Sequence, residues 1–300
     1  MRVAGAIDIG GTSTKVGIVA EDGSIVVRAS VPTSLHGEPT AVVEAIATSV
    51  QPMLEASNAD GVAVSGIGVS VAGFLNSDRS AMIHNANLPA LREFPLQHAL
   101  EERLSLECRL EVDSNAAVVA EYQYGAGRGS TRLLGVTMGT GLGGGVIIDG
   151  KLLRYTGECA GDLGHIIVER TGRLCTCGAR GCLEAMVNSA ALSERAGGRA
   201  VLEIVTSARE GDEVALEALA QTGWWLGLGL ASLSPLFAPD KIVVGGGIAA
   251  AGDLLLEAVR SSYRTHARPE FREKTRVIGS SFEGWDGIIG AASLFFHQLA

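Results

Sequence analysis

Along the chain, apolar and polar positions fall into short runs broken by glycine turns. Ala4–Ile9 and Thr14–Val19 read as two strands around the turn Gly10-Gly11-Thr12, and Ile25–Ser30 extends the sheet after Asp22-Gly23. The period then lengthens: Thr40–Ala56 has helical spacing with Pro39 at its start. Gly66–Val71 is a buried strand leading to a turn at Gly73. Pro95–Leu104 reads as a helix and Cys108–Val112 as a strand. Ala116–Tyr124 is a helix opened by Asp113, Ser114 and Asn115, residue types favoured at helix N-caps.

The pattern then repeats. Leu133–Met138 is a strand, Gly139-Thr140-Gly141 a turn, and Gly144–Ile148 a second strand ending in Asp149-Gly150. Two copies of one strand–glycine turn–strand unit, each opening a half of the chain, imply a duplicated α/β domain with a cleft between the halves. Lys241–Val244, Gly245-Gly246-Gly247 and Asp253–His266 form a further strand, turn and helix, and Gly287–Leu299 a closing helix. The repeat puts the boundary near residues 113–117.

Composition narrows the class. Three hundred residues exceed one ordinary hydrophobic core, and 47% hydrophobic against 19% charged residues is ample for burial. A net charge of −9 argues against a nucleic-acid surface. The start, MRVAGAIDIGG, carries no signal-peptide pattern. Thr222–Pro239 has no charged residue, but glycine, serine and proline break it, so a helix buried between lobes is expected rather than a membrane span. Clustered cysteines in such a chain point to a reducing cytoplasm and a metal rather than disulfides.

Glycine lets several backbone N–H groups converge on one anion. Asp8-Ile9-Gly10-Gly11-Thr12 and Gly139-Thr140-Gly141 both fit such phosphate cradles, with Thr12 and Thr140 as added hydroxyl donors. Asp8 is placed to hold Mg²⁺ through water and Lys15 to neutralise a phosphate. Either turn alone is an ordinary hairpin turn. The pair, with Gly245-Gly246-Gly247, marks a nucleotide site, although no GxxxxGK[ST] and no protein-kinase loop set occurs. Asp113, between an apolar strand and a helix, is either a plain N-cap or a carboxylate that takes the proton of a hydroxyl attacking a γ-phosphate.

Three of the five cysteines fall within eight residues, Cys175, Cys177 and Cys182, with His165 just before them. Zinc takes four nitrogen or sulfur ligands at tetrahedral corners, and a closed Cys₃His set leaves no position for water activation. The expected task is structural: to brace the loop carrying Asp162 and Glu184, with His165 free to offer its second ring nitrogen to a substrate hydroxyl. Cys108 and Cys159 are expected to be ordinary small buried residues.

These segments add up to a known pattern. DIGGTSTKVGIV (8–19), VDSNAAVVAE (112–121), MGTGLGGGVIIDGK (138–151), AGDLGH (160–165), CTCGARGCLE (175–184) and VVGGGIAAAG (243–252) resemble, in order, the ROK family of sugar kinases. The resemblance implies an α/β fold of the two-lobed, actin-like ATPase (ribonuclease H-like) type with the active-site cleft between lobes. Residues 1–115 plus 287–300 would form the smaller lobe, and 116–286 the larger, with a zinc loop at 165–184. It implies transfer of a phosphoryl group from ATP, with Mg²⁺, to a hexose or N-acetylhexosamine. Asp113 matches the catalytic base, and Gly10, Gly11, Thr12, Gly139, Thr140 and Gly141 match the phosphate turns. Gly245, Gly246 and Gly247 match the segment near the adenosine. His165, Cys175, Cys177 and Cys182 match structural zinc ligands. Asn87, Asp162, His165 and Glu184 match the sugar side.

Two positions depart from the family pattern: Val112 stands where it has Asn, and Asp162 where it has Glu in GE-x-GH. Both changes predict altered hydroxyl recognition, toward another hexose, an amino sugar or a cyclitol rather than glucose. Rival readings are a sugar-sensing repressor, opposed by the lack of room for a helix-turn-helix before Asp8, and an ATP-driven binding module on the same fold. The resemblance also implies a cytoplasmic homodimer or homotetramer with neither nucleic acid nor membrane as partner.

Overall fold

The computed structural model describes residues 2–33, 38–84, 88–154 and 162–297. It divides into two compact units, Met1–Tyr124 with Lys151–Gly161 and Trp285–Ala300, and Gly125–Gly150 with Asp162–Gly284.

In the first unit, β1 (Val3–Ile9), β2 (Ser13–Ala20), β3 (Ile25–Pro32), helix α1 (Pro39–Ala59), β4 (Val64–Val71), α2 (Leu96–Leu104), β5 (Cys108–Val112) and α3 (Asp113–Gln123) follow in order. The sheet runs β3-β2-β1-β4-β5, antiparallel within the hairpins and parallel from β1 through β4 to β5. One face buries Ile7, Ile9, Ile67, Val69 and Val71 against Val42, Val43, Ile46, Val50 and Leu54 of α1.

The second unit repeats the theme with β6 (Arg132–Met138), β7 (Leu142–Ile148), α4 (Leu183–Val187), α5 (Ser189–Arg195), α6 (Val201–Arg209), α7 (Glu213–Phe237), β8 (Lys241–Gly245), α8 (Asp253–His266) and β9 (Arg276–Gly279). Its sheet has the order β7-β6-β8-β9, with β6, β8 and β9 parallel. The chain then returns to the first unit as α9 (Asp286–Ser293).

α9 covers the other face of the first sheet, and only small residues permit it. A Cβ on Gly68 would lie 1.9 Å from the carbonyl oxygen of Ala291, and one on Gly290 would lie 1.8 Å from that of Ala116. The second contact holds α3 within the first unit. The sequence-based boundary at 115/116 therefore falls inside a helix, and the division lies at 124/125. The same helix starts three residues before its expected first turn: Val112 is the N-cap, with no side-chain cap bond, and Asp113 is already helical.

Residues 222–237 of the uncharged stretch belong to α7, which ends at a left-handed Ala238 and whose N-terminus is capped by Asp212 accepting from the N–H of Ala215. α7 lies along α8, where Ser262 Oγ donates to the carbonyl of Trp224 at 2.6 Å. The expectation of a buried helix needs correction, because Trp224 and Leu236 on it are exposed. None of the described helices is long and apolar enough to cross a membrane.

Candidate functional site

Both sheets gather their glycine turns at the carboxyl ends of parallel strands, where α/β sheets bind ligands. In the first unit, Ile9, Val71 and Val112 stand in one cross-strand row. The next residues along those strands are Gly10, Ala72 and Asp113, so the Gly10-Gly11-Thr12 turn and Asp113 share one sheet end. The turn is closed by Gly10 N–H donating to the Ser13 carbonyl at 3.1 Å, and Thr33 Oγ1 donates to the Gly10 carbonyl at 2.8 Å.

One residue back, a second row crosses the sheet through Lys15, Asp8, Ser70 and Glu111. Asp8 Oδ1 accepts from Ser70 Oγ at 2.8 Å, and Oδ2 lies 3.9 Å from Lys15 Nζ. Burial pushes the Asp8 carboxyl above the usual carboxylate range, with Lys15 and Ser70 pulling the other way and buried Asp286 adding to the rise. Gly287 makes room for this carboxylate, since a Cβ there would come within 2.5 Å of it. A carboxylate whose charge is partly uncompensated in this way suits a cation ligand.

Asp113 is not an N-cap. Its Oδ1 accepts from the N–H of Ser114 at 2.7 Å, and it occupies the first helical position rather than the cap. The amide of Asn115 donates to Glu111 Oε1 at 3.0 Å.

In the second unit, Gly139-Thr140-Gly141 joins β6 to β7, and its ends are fixed from two helices. The N–H and Oγ of Ser189 both donate to the Gly139 carbonyl at 2.8 Å. Glu184 Oε2 accepts from the N–H of Leu142 at 3.0 Å and would lie 2.6 Å from a Cβ on Gly141. Gly245, Gly246 and Gly247 run beside this turn: Gly245 pairs with Thr137, and a Cβ on Gly246, at φ 89°, would meet the Met138 backbone at 2.4 Å. A short 3-10 turn, Ile248–Ala251, separates these glycines from α8.

His165, Cys175, Cys177 and Cys182 converge, with one donor atom from each lying within 4.8 Å of all the others. The Sγ atoms of Cys177 and Cys182 are 3.6 Å apart, and Cys175 Sγ is 3.6 Å from His165 Nδ1. A tetrahedron with ~2.3 Å metal–sulfur bonds has edges of about 3.8 Å, so the four donors fit one tetrahedral ion. Burial, followed by the neighbouring thiols, pushes the Cys182 thiol up to about 12, a state that a bound cation would reverse. Glu184 reaches this cluster as well: Thr176 Oγ1 donates to its Oε1 at 3.4 Å. One carboxylate thus links the metal-type loop to the glycine turn.

His165 Nε2 faces Asp162 Oδ2 at 3.3 Å. The nitrogen expected to be open to a substrate hydroxyl therefore already has a carboxylate neighbour. Burial raises the Asp162 pKa, with His165 lowering it and Glu184 raising it further. Asn87 lies outside the described residues, as does Cys159. Sequence reasoning missed Ser70, Glu111, Arg154 and Asp286. A lone acid in the apolar strand Cys108–Val112 was the available signal for Glu111, which is 1% exposed.

A family model described as ROK family matches residues 4–298. The chain is 36% identical over 311 residues to a glucokinase of Streptomyces coelicolor, covering 96% of each chain. It is 32% identical over 294 residues to an N-acetylmannosamine kinase of Escherichia coli, covering 96% of this chain and 97% of that one. Among solved structures, a ROK family glucokinase from Streptomyces griseus, in complex with glucose and AMPPNP, superposes with a TM-score of 0.87. That match has 34% identity and covers 97% of this chain and 98% of the other.

Proposed function

The chain belongs to the ROK family and is an ATP-dependent carbohydrate kinase of the two-lobed actin-like ATPase fold, and we propose that Asp113 is its general base. The observation that supports this is the row of strand ends in the first unit: Ile9, Val71 and Val112 are aligned, so the residues that follow them, Asp113 among them, lie at the same sheet end as the Gly10-Gly11-Thr12 turn.

In the reaction, the Asp113 carboxylate accepts the proton of an acceptor hydroxyl as its oxygen attacks the γ-phosphorus. The new P–O bond forms while the bond to the β-phosphate oxygen breaks, and ADP leaves with that electron pair. The N–H groups of Gly10-Gly11-Thr12 and Gly139-Thr140-Gly141 donate to phosphate oxygens, with Thr12 and Thr140 as further donors. Gly245, Gly246 and Gly247 allow close approach of the nucleoside. Asp8 would hold Mg²⁺, which would supply neutralisation of phosphate charge, and Lys15 adds a second positive charge.

His165, Cys175, Cys177 and Cys182 would hold a structural Zn²⁺, whose closed ligand set supplies rigidity rather than chemistry. Asp162, His165 and Glu184 serve the acceptor side. Val112 presents an alkyl group where the family amide would meet a hydroxyl, so we assign an acceptor other than glucose, a second hexose or an N-acetylhexosamine. By the family resemblance the protein acts as a cytoplasmic homo-oligomer, a state that light scattering reports directly.

An ADP-release assay over hexoses, N-acetylhexosamines and cyclitols tests the reading. One acceptor is expected to turn over well, glucose poorly, and Asp113→Asn to lower kcat at least ~10²-fold. Full turnover in that variant would remove Asp113 from the mechanism, and efficient use of glucose would remove the specificity assignment.

A further inference from the structure

Glu111 is a carboxylate buried at the end of β5, a place that costs stability unless donors surround it. Three do. Oε1 accepts from the N–H of Val112 at 3.1 Å and from Asn115 Nδ2 at 3.0 Å, and Oε2 accepts from Arg154 Nε at 2.8 Å. The first two donors lie on either side of Asp113 in the chain. A single oxygen therefore fastens the last strand residue before Asp113 and the helical residue two after it, across the bend where strand becomes helix. The N-cap residue Val112 makes no side-chain cap bond; the Asp113 carboxylate itself accepts from the N–H of Ser114, and the Glu111 oxygen ties this first turn to the preceding strand through Asn115.

Arg154 supplies the opposite charge to this carboxylate, whose other two donors are neutral. It is 22% exposed, against 1% for Glu111, and it bonds through a guanidinium nitrogen whose direction is set by a planar group. Glu111 also ends the row that runs through Ser70 to Asp8, the residue assigned to the cation. The strand spacing along this row relates the acid that handles charge to the bend that presents the base.

We infer that Glu111, charge-paired with Arg154, is a positioning residue for Asp113 and sets the direction in which its carboxylate meets the acceptor hydroxyl. This rests on Asp113 being the base. A displacement of about 1 Å at a reacting group costs up to ~10²-fold in rate. Glu111→Gln keeps the size and the oxygen facing Val112 and Asn115, but turns an amide N–H₂ toward the Arg154 N–H, donor against donor.

The test is a kinetic cycle of wild type, Glu111→Gln, Asp113→Asn and the double variant, with kcat and KM measured separately and melting curves recorded alongside. Glu111→Gln should lower kcat ~10–100-fold with KM for both substrates nearly unchanged. In the Asp113→Asn background the same change should add almost nothing, because no base remains to be aimed. Equal losses in both backgrounds, a loss confined to KM, or native kcat in Glu111→Gln beside an inactive Asp113→Asn would overturn the positioning role alone. Native kcat in Asp113→Asn would overturn the base and the positioning role together. If Glu111→Gln does not fold, Arg154→Lys keeps the charge, loses the nitrogen that bonds Oε2, and is judged by the same criteria.

Discussion

The two units carry the same hairpin, furnished in opposite ways. In the first, the row beside the glycine turn is Lys15, Asp8, Ser70 and Glu111; in the second, the corresponding row is Gly143, Thr137 and Gly245. One copy carries charge and the other has small neutral residues. The charged row offers the carboxylates that the proposed cation binding and base positioning need. The bare row would let backbone come close to a nucleotide, and its turn is held from outside the sheet by Ser189 and Glu184. A duplicated scaffold has divided the labour between side chains in one half and backbone in the other.

Metal removal should strike the second unit hardest. Stripping zinc with a chelator is expected to abolish turnover and restore protease sensitivity to residues 165–184, with readdition of zinc recovering both. A metal-free preparation, verified by elemental analysis, that turns over at the native rate would leave the loop without its brace function. Next in size is Asp8→Asn, which should lower kcat at least ~10²-fold. Its effect on stability runs the other way. Burial raises the Asp8 pKa in the folded chain above the ordinary 3.8, so folding takes up a proton and stability falls as pH rises through the raised value. The amide removes that penalty, and at neutral pH the melting temperature should increase by ~2–4 °C. A decrease would mean that the ion pair with Lys15 outweighs burial.

Writing the first row into the second gives a smaller effect. Thr137→Asp places a negative charge beside the glycine turn of β6 and should raise the KM for ATP ~10-fold by repulsion, less at high salt. An unchanged KM would separate this turn from the phosphates. The smallest effect is expected from Gly141→Ala. The new methyl must displace Glu184 from the N–H of Leu142, costing about 1 kcal/mol, a melting shift of ~2–4 °C.

Much of this was legible in the sequence because hairpins and glycine turns are local. Cys108–Val112 and Asp253–His266 have the same bounds in the structure as in the sequence reading, and both glycine turns lie between the expected strands. The four metal-type ligands were legible for the same reason, since three of them share one tight loop. What escaped was set by register between distant strands. Ser70 looks unremarkable in its own strand, Glu111 stands out only as a lone acid, and only pairing aligns the two with Asp8. Arg154 meets Glu111 across 43 residues of chain. The start of α3 differs from the expectation because Asp, Ser and Asn imitate residues ahead of a helix, whereas here Asp113 is already helical, accepts from the N–H of Ser114, and is followed by Asn115 bonded to Glu111 of the preceding strand.

Gly287 closes the contact around Asp8, and this has a consequence for how the protein is made. A ribosome delivers Asp8 among the first residues and Gly287 only after the whole second unit has emerged. The second unit can therefore complete itself while the first still lacks α9, and the face of β1 and β4 that α9 covers must wait through that interval. The strands of the charged row can pair early, but a nascent chain stalled before residue 285 would hold a complete second unit and a first sheet with one face still uncovered.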